Sequence, residues 1–303
     1  MPESNWAVAR KHQTLVQRAR IVQTIRAFFI AQGVLEVETP HRIPANAPEA
    51  HIDPLSSGAW WLQTSPELAM KRLLAAGYGD IFQLCRVWRD GERGARHLPE
   101  FTLLEWYRSA RDYTALMDDC EALLGMLVPE GRFRWQGAEI DLTPPWPRLT
   151  VAEAFERYAA CRMEDALSGG TFDEVMALEI EPQLGSAPLF LCDYPVECGA
   201  LARRKQADRN LVERFELYLG GLELANAFSE LCDPDEQRHR FEHDRALRET
   251  SGKPTAPLPE AFLRELGGLQ SAAGIALGVD RLVMLLTDVA QIDEVVCFPP
   301  EII

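Results

Sequence analysis

Residues 82–108, FQLCRVWRDGERGARHLPEFTLLEWYR, constrain this chain more than any other stretch. Two apolar-rich runs, Phe82–Trp88 and Phe101–Tyr107, flank a polar loop carrying Arg89, Asp90, Glu92, Arg93, Arg96, His97 and Glu100. Such runs around a Gly-containing polar segment predict a β-hairpin whose long loop is the part free to do chemistry. The loop is rich in arginine although the chain carries a formal net charge of -15. A local cationic cluster in an acidic protein serves a local anion. Triphosphate is the natural candidate, because guanidinium offers a planar fork to phosphate oxygens. On composition alone the same loop reads as a solvated surface.

The acidic balance argues against a broad nucleic-acid surface, which needs clustered Lys and Arg to neutralise phosphates. At 303 residues, 47% hydrophobic and 25% charged, the chain can bury a substantial core as one large domain or two ordinary ones. Cys85, Cys120, Cys161, Cys192, Cys198, Cys232 and Cys297 are scattered, with no pair at zinc-knuckle or redox spacing, and read as reduced cysteines. The polar N-terminus MPESNWAVARKHQ has no signal-peptide pattern, and apolar runs such as Leu282–Leu286 are too short to span a bilayer. A cytoplasmic protein with no membrane partner is expected.

Leu15, Ala19, Val22, Ile25 and Phe29 recur at helical spacing and predict an amphipathic helix over 15–32 that Gly33 ends. Val34–Thr39 alternates as a strand and stops at Pro40. Trp60–Thr64 is a further strand candidate, and Ser65-Pro66-Glu67 opens a helix over 68–76 with Ser65 as its cap. Glu67 alone would be a carboxylate favouring the positive helix end. A helix over 114–127 follows the hairpin, and Pro144, Pro145 and Pro147 break it from what comes next. Residues 150–182 read as two helices joined by Ser168-Gly169-Gly170, a helical insertion rather than a separate domain.

Pro188–Tyr194 returns to strand, and Phe215–Leu219, Gly220-Gly221 and Leu222–Phe228 predict a second hairpin. Asp233-Pro234 starts another helix, and Gly274–Leu285 runs from a small-residue strand into an apolar helix. Hairpin-like strands with helices between them predict an α+β fold, an antiparallel β-sheet flanked by helices. No GxxxxGK[ST] occurs and no GxGxxG follows a strand, so neither a P-loop nor a Rossmann turn holds a nucleotide.

Arg89, then His97-Leu98-Pro99-Glu100-Phe101-Thr102, then Glu105-Trp106-Tyr107 resembles motif 2 of the class II aminoacyl-tRNA synthetases, in its lysyl branch. The helix, strand and Pro40 resemble motif 1, and Gly274–Arg281, a GxAxGxDR pattern, resembles motif 3. The resemblance runs from about residue 14 to 298. It implies a class II catalytic core that uses ATP and Mg2+ and forms a homodimer through motif 1.

By the same resemblance, Arg89 holds the α-phosphate and Arg281 the γ-phosphate, as the catalytic pair. His97 lies over the phosphates, Phe101 stacks on adenine, and Glu216 and Glu223 are metal ligands, Glu223 also serving ATP. Glu223–Leu231 resembles the family's GxExxNGFxEL segment, which implies Asn226, Phe228 and Glu230 in the amino-acid pocket. Ser65, Glu67, Glu105, Tyr107 and Ala276 complete that pocket, where carboxylates would surround a buried ammonium. Gly91 stands where the family has the glutamate of its Arg-x-Glu triplet, with Glu92 next to it as the ATP-side substitute, and Leu98 stands for the asparagine of HNPEF.

Bacterial lysyl-tRNA synthetases carry an N-terminal OB domain for the anticodon, and here the motif 1 helix starts almost at the first residue. The chain therefore looks like the truncated elongation factor P lysyltransferase family, with LCRVWRDGE and PEFTLLEWYR as shared wording. That family adenylates (R)-β-lysine and passes it to a lysine side chain of elongation factor P. Ala276, where lysyl-tRNA synthetases usually have glycine, bears on which lysine isomer fits. The run Tyr194–Arg204 reads much like the YPxEVSPLARR of lysyl-tRNA synthetases and keeps α-lysine open. The alternatives are a minimal enzyme that aminoacylates tRNA, disfavoured by the acidic surface, and a non-catalytic regulatory paralogue, disfavoured by the retained Arg89, Glu223 and Arg281.

Overall fold

Apolar-rich strands joined by hairpins set the architecture, and the computed structural model describes residues 6–199 and 201–302. Residues 1–5 of the polar N-terminal stretch and Ala200 of the Tyr194–Arg204 run lie outside the described residues. The principal elements are α1 (His12–Ala31), β1 (Leu35–Glu36), α2 (Glu67–Ala75), β2 (Ile81–Trp88), β3 (Glu100–Ser109), α3 (Tyr113–Leu127) and β4 (Arg148–Thr150). They continue as β5 (Leu189–Cys192), β6 (Arg214–Leu219), β7 (Leu222–Ser229), α4 (Pro234–Thr250), α5 (Glu260–Leu266), β8 (Ala272–Gly278) and α6 (Val279–Thr287).

These strands form one 8-stranded sheet in the order β1-β2-β3-β8-β7-β6-β5-β4. Its interior is antiparallel, as expected, but both edge pairs, β1 with β2 and β5 with β4, are parallel. One sheet face is apolar. Phe82, Leu104, Trp106, Phe215, Leu217, Ala273, Ile275 and Leu277 on it pack under α1, α3 and α6. Phe29 of α1 lies 4.9 Å from the Phe82 ring and 5.2 Å from Trp106, ring centroid to centroid. Each such buried aromatic contributes about 1.5–3 kcal/mol.

Gly33 ends α1 at φ +74°, where its N–H reaches Ile30 C=O at 3.0 Å and Val34 N–H reaches Phe29 C=O at 3.1 Å. The strand expected over 34–39 is shorter. Only Leu35 and Glu36 pair with β2, because this is a sheet edge and the chain then turns away over the cavity described below.

The expected two-helix insertion is also more broken than read. Val151–Tyr158 and Met163–Gly169 are helices, Gly170 at φ +68° ends the second, and Phe172–Val175 runs on into a wider turn over Met176–Ile180. Phe155, Phe172 and Ile180 share a core with Leu149, Leu191 and Tyr218, so these helices pack on the β4-β5-β6 end of the sheet.

Candidate active site

The opposite sheet face carries polar side chains, and strand register lines them up in rows. Glu105 of β3 pairs with Ala276 of β8, Ala276 with Asn226 of β7, and Asn226 with Glu216 of β6. One step along, Tyr107, Gly274, Phe228 and Arg214 form the next row. All of these border one cavity of about 600 Å³. Glu223 and Asn226 are three apart, so simple alternation would put them on opposite faces. A β-bulge settles the matter: Leu217 faces Ala225 and Tyr218 faces Glu223, leaving Leu224 unpaired. Leu224 and Ala225 both turn into the core, and Glu223 and Asn226 both face the cavity.

At one end of the cavity the hairpin loop supplies arginine. Arg89 lies over the Phe101 ring, 5.1 Å from its centroid, and 3.9 Å from Glu92 Oε1. Gly91 has φ +75°, a conformation costly for glutamate, and the turn it makes leaves Glu92 at the cavity wall. Leu98 is buried in the main core, so an apolar residue suits its site.

Arg281, in the first turn of α6, enters from the other side. It donates to Glu223 C=O at 2.7 Å and to His97 Nε2. Burial and the Arg281 charge hold His97 below the usual imidazole range, which matches a neutral ring accepting from the guanidinium. Asp280 does not pair with Arg281. It accepts from Arg18 of α1 at 2.5 Å and from Thr102 N–H at 2.6 Å, anchoring α6 to α1 and β3.

The other end is acidic. Ser65 Oγ accepts from Glu67 N–H at 3.0 Å, as a capping hydroxyl does, and donates to Glu105. Tyr107 Oη donates to Glu105 Oε2 at 3.0 Å. Burial, then the charge of Glu67, pushes the Glu105 carboxyl up to about 8. Glu230, expected to line the pocket, is instead fully buried behind it, because its ion-pair partner Lys71 is buried there too. Lys71 also binds Glu67 at 2.6 Å and lies 5.1 Å from the Phe228 ring centroid.

Glu230 Oε1 has no hydrogen-bond partner. A Cβ at Gly274 would collide with it and with the Tyr107 ring, so only the absence of a side chain leaves this oxygen near the cavity. An orphaned carboxylate oxygen beside Glu105 and Tyr107 fits an incoming ammonium donor.

Glu216 accepts from Arg214 at 2.6 Å and from Tyr218 Oη at 2.8 Å. Glu223 approaches Arg281 at 3.6 Å. Burial and the charge of Glu216 push Glu223 up to about 7, a conflict between carboxylates that a divalent cation would relieve. Among the described residues no group of three or more His, Cys, Asp or Glu suits a metal. Two carboxylates beside a polyphosphate fit Mg2+, which keeps waters and shares its shell with phosphate.

Sequence reading missed Lys71 and Arg214. Lys71 is four residues after Glu67 on one helix, a spacing that brings the two together. Arg214 is two residues before Glu216 on one strand and therefore on its face. Arg214 also donates to Asn226 Oδ1 at 3.0 Å and to Cys198 C=O at 2.6 Å, fixing the middle of the cavity floor.

The family model described as tRNA synthetases class II (D, K and N) matches residues 6–301. The chain is 38% identical over 320 residues to the elongation factor P–(R)-β-lysine ligase of Avibacterium paragallinarum, covering 99% of each chain. It is 39% identical over 315 residues to the ligase of that name from Mannheimia succiniciproducens, covering 97% of each. The lysine–tRNA ligase of Moorella thermoacetica is 37% identical over 319 residues, which are 95% of this chain and 65% of that one.

Proposed function

This chain belongs to the class II tRNA synthetases of the D, K and N group, and on that premise we propose that it is an ATP-dependent ligase acting on elongation factor P. It activates (R)-β-lysine as an aminoacyl-adenylate and transfers it to a lysine side chain of that factor. The observation that carries this reading is the polarity of one cavity, with Arg89 and Arg281 at one end and Glu67 and Glu105 at the other. Such a cavity suits a molecule with phosphate at one end and ammonium at the other. Near-complete coverage of the two elongation factor P ligases supports the acceptor.

Arg89 grips the α-phosphate and Arg281 the γ-phosphate, each with a fork that keeps its charge. Both counter the charge that develops as pyrophosphate leaves, and preorganised cations lower the barrier without reorganising. Neutral His97 holds Arg281 in place. Phe101, with Arg89 on its ring, gives adenine a stacking surface. Glu216 and Glu223 hold Mg2+, which when bound neutralises phosphate charge. The substrate ammonium is received by Glu67, Glu105 and Tyr107, with Ser65 orienting Glu105, while Asn226 and Ala276 shape the floor beneath the chain of the amino acid.

The protein acts as a homodimer in the cytoplasm. Ile30 of α1 and Leu35 of β1 are exposed apolar residues on the unit that would form the interface. No helix of the described residues is long and apolar enough to cross a membrane. The lysine–tRNA ligase relative supports a second reading, lysylation of tRNA.

Incubation of elongation factor P with this protein, ATP, Mg2+, (R)-β-lysine and isotopically heavy α-lysine tests both. A lysyl-sized mass gain on the factor, with the light isotope, is the expected result. ATP consumption without that gain, together with acylation of tRNA, would favour the second reading.

A further inference from the structure

The loop between β1 and α2 reaches over the cavity, and an arginine holds it there. Arg248 of α4, buried at 3% exposure, donates to the carbonyls of Glu49 at 2.9 Å, Ile52 at 2.8 Å and Pro254 at 3.0 Å, and to Asp53 Oδ1 at 2.8 Å. A buried guanidinium whose two terminal nitrogens bond Glu49, Ile52 and Asp53 while it also grips Pro254 ties this irregular segment to the chain after α4. Of the residues this clamp presents to the cavity, Ala50, His51 and Ile52 among them, Glu49 is the one with a carboxylate. Its carboxylate makes no hydrogen bond or ion pair among the described residues, unlike Glu67, Glu105, Glu216 and Glu230.

The charged groups facing it come from four elements: Arg89 from the hairpin loop, Glu67 from α2, Asp244 from α4 and Arg214 from β6. It therefore stands between the arginine end and the carboxylate end of the cavity. If the chain acylates a lysine side chain as proposed above, the activated carbonyl lies in that middle. Such an acceptor arrives as an ammonium, which has no lone pair.

We infer that Glu49 is the base that takes the proton from the acceptor amine. One ammonium N–H proton passes to the Glu49 carboxylate. The freed nitrogen lone pair then forms the bond to the carbonyl carbon of the aminoacyl-adenylate. The bond from that carbon to the phosphate oxygen breaks, its electron pair leaving on AMP, and the nitrogen sheds a second proton to solvent to give the neutral amide. Burial raises the Glu49 carboxyl to about 7, with Arg89 opposing and Glu67 adding to the rise, which matches a base that must cycle near neutral pH.

The test separates activation from transfer in one preparation. Amino-acid-dependent ATP–pyrophosphate exchange reads the first, and single-turnover transfer from preformed adenylate to elongation factor P, from pH 6 to 8.5, reads the second. In the unaltered protein the transfer rate should rise with pH and level off above about 7. In Glu49→Gln the ratio of transfer to exchange should fall about 10²-fold and the rise should disappear, with Glu49→Asp recovering part of both. A Glu49→Gln protein that keeps that ratio and the pH rise, or that loses exchange and transfer equally, would overturn the assignment. Exchange and transfer both absent in the unaltered protein would overturn the function on which it rests.

Discussion

Lys71 and Glu230 are both fully buried and pair with each other in the wall behind the acidic end of the cavity. The protein thus supplies one internal ammonium to a group of carboxylates and leaves Glu105 and one oxygen of Glu230 for another. Removing one partner of a buried ion pair strands the other charge. Lys71→Met should lower unfolding free energy by about 3–5 kcal/mol, measured by chemical denaturation, and Lys71→Met/Glu230→Gln should recover much of the loss.

Amino-acid affinity should depend on pH through the carboxyls that receive it. Burial pushes Glu105 up to about 8, with Glu67 adding to the rise, whereas at Glu230 the paired Lys71 opposes the effect of burial. A bound cation favours their ionised forms and releases protons. Affinity for lysine or β-lysine should therefore strengthen as pH rises from about 6 to about 8, and calorimetry in buffers of different ionisation enthalpy should record the released protons. Without ligand the sign for stability is opposite. The folded Glu105 carboxyl retains a proton that the unfolded one, at an ordinary 4.5, has lost, so this group contributes less stability as pH climbs from 4.5 towards 8.

Gly274→Ala should weaken amino-acid activation. The added methyl meets the Tyr107 ring and the Glu230 carboxylate, both held by neighbours that cannot yield. Overpacking of this kind costs about 1–3 kcal/mol. ATP–pyrophosphate exchange should show a raised KM for the amino acid beside a modest fall in melting temperature.

Ala276 lies between Glu105 and Asn226 in the floor. Ala276→Gly removes one methyl there and should raise kcat/KM for α-lysine relative to (R)-β-lysine, by no more than about 1–3 kcal/mol. Competition between the isotopically distinguished isomers measures the ratio directly.

Much of the architecture was legible because its signals are local. The β2–β3 and β6–β7 hairpins, the end of α1 at Gly33 and the opening of α6 at Arg281 each depend on neighbours within a few residues. Glu105 was readable as a cavity residue only through the resemblance, as one of the carboxylates that a buried ammonium needs. Glu49, Lys71 and Arg214 were not, because their meaning comes from what the fold brings opposite them: an arginine clamp, a buried carboxylate, a facing asparagine. Glu230, just past the end of β7, was read as lining the amino-acid pocket, but sequence cannot tell a residue at a wall from one just behind it. The edge strand β1 and the broken helices over 151–183 depart from expectation where tertiary packing overrode local pattern.

Strand β7 behaves like a reading frame. Leu224 is its one uncounted residue, and deleting it would restore strict alternation while Glu223, then two residues from Asn226, stayed on the cavity face with Asn226 and Phe228. Past the bulge the frame has no such slack, and one residue added or removed between Asn226 and Phe228 would turn one of the two from the cavity into the apolar layer.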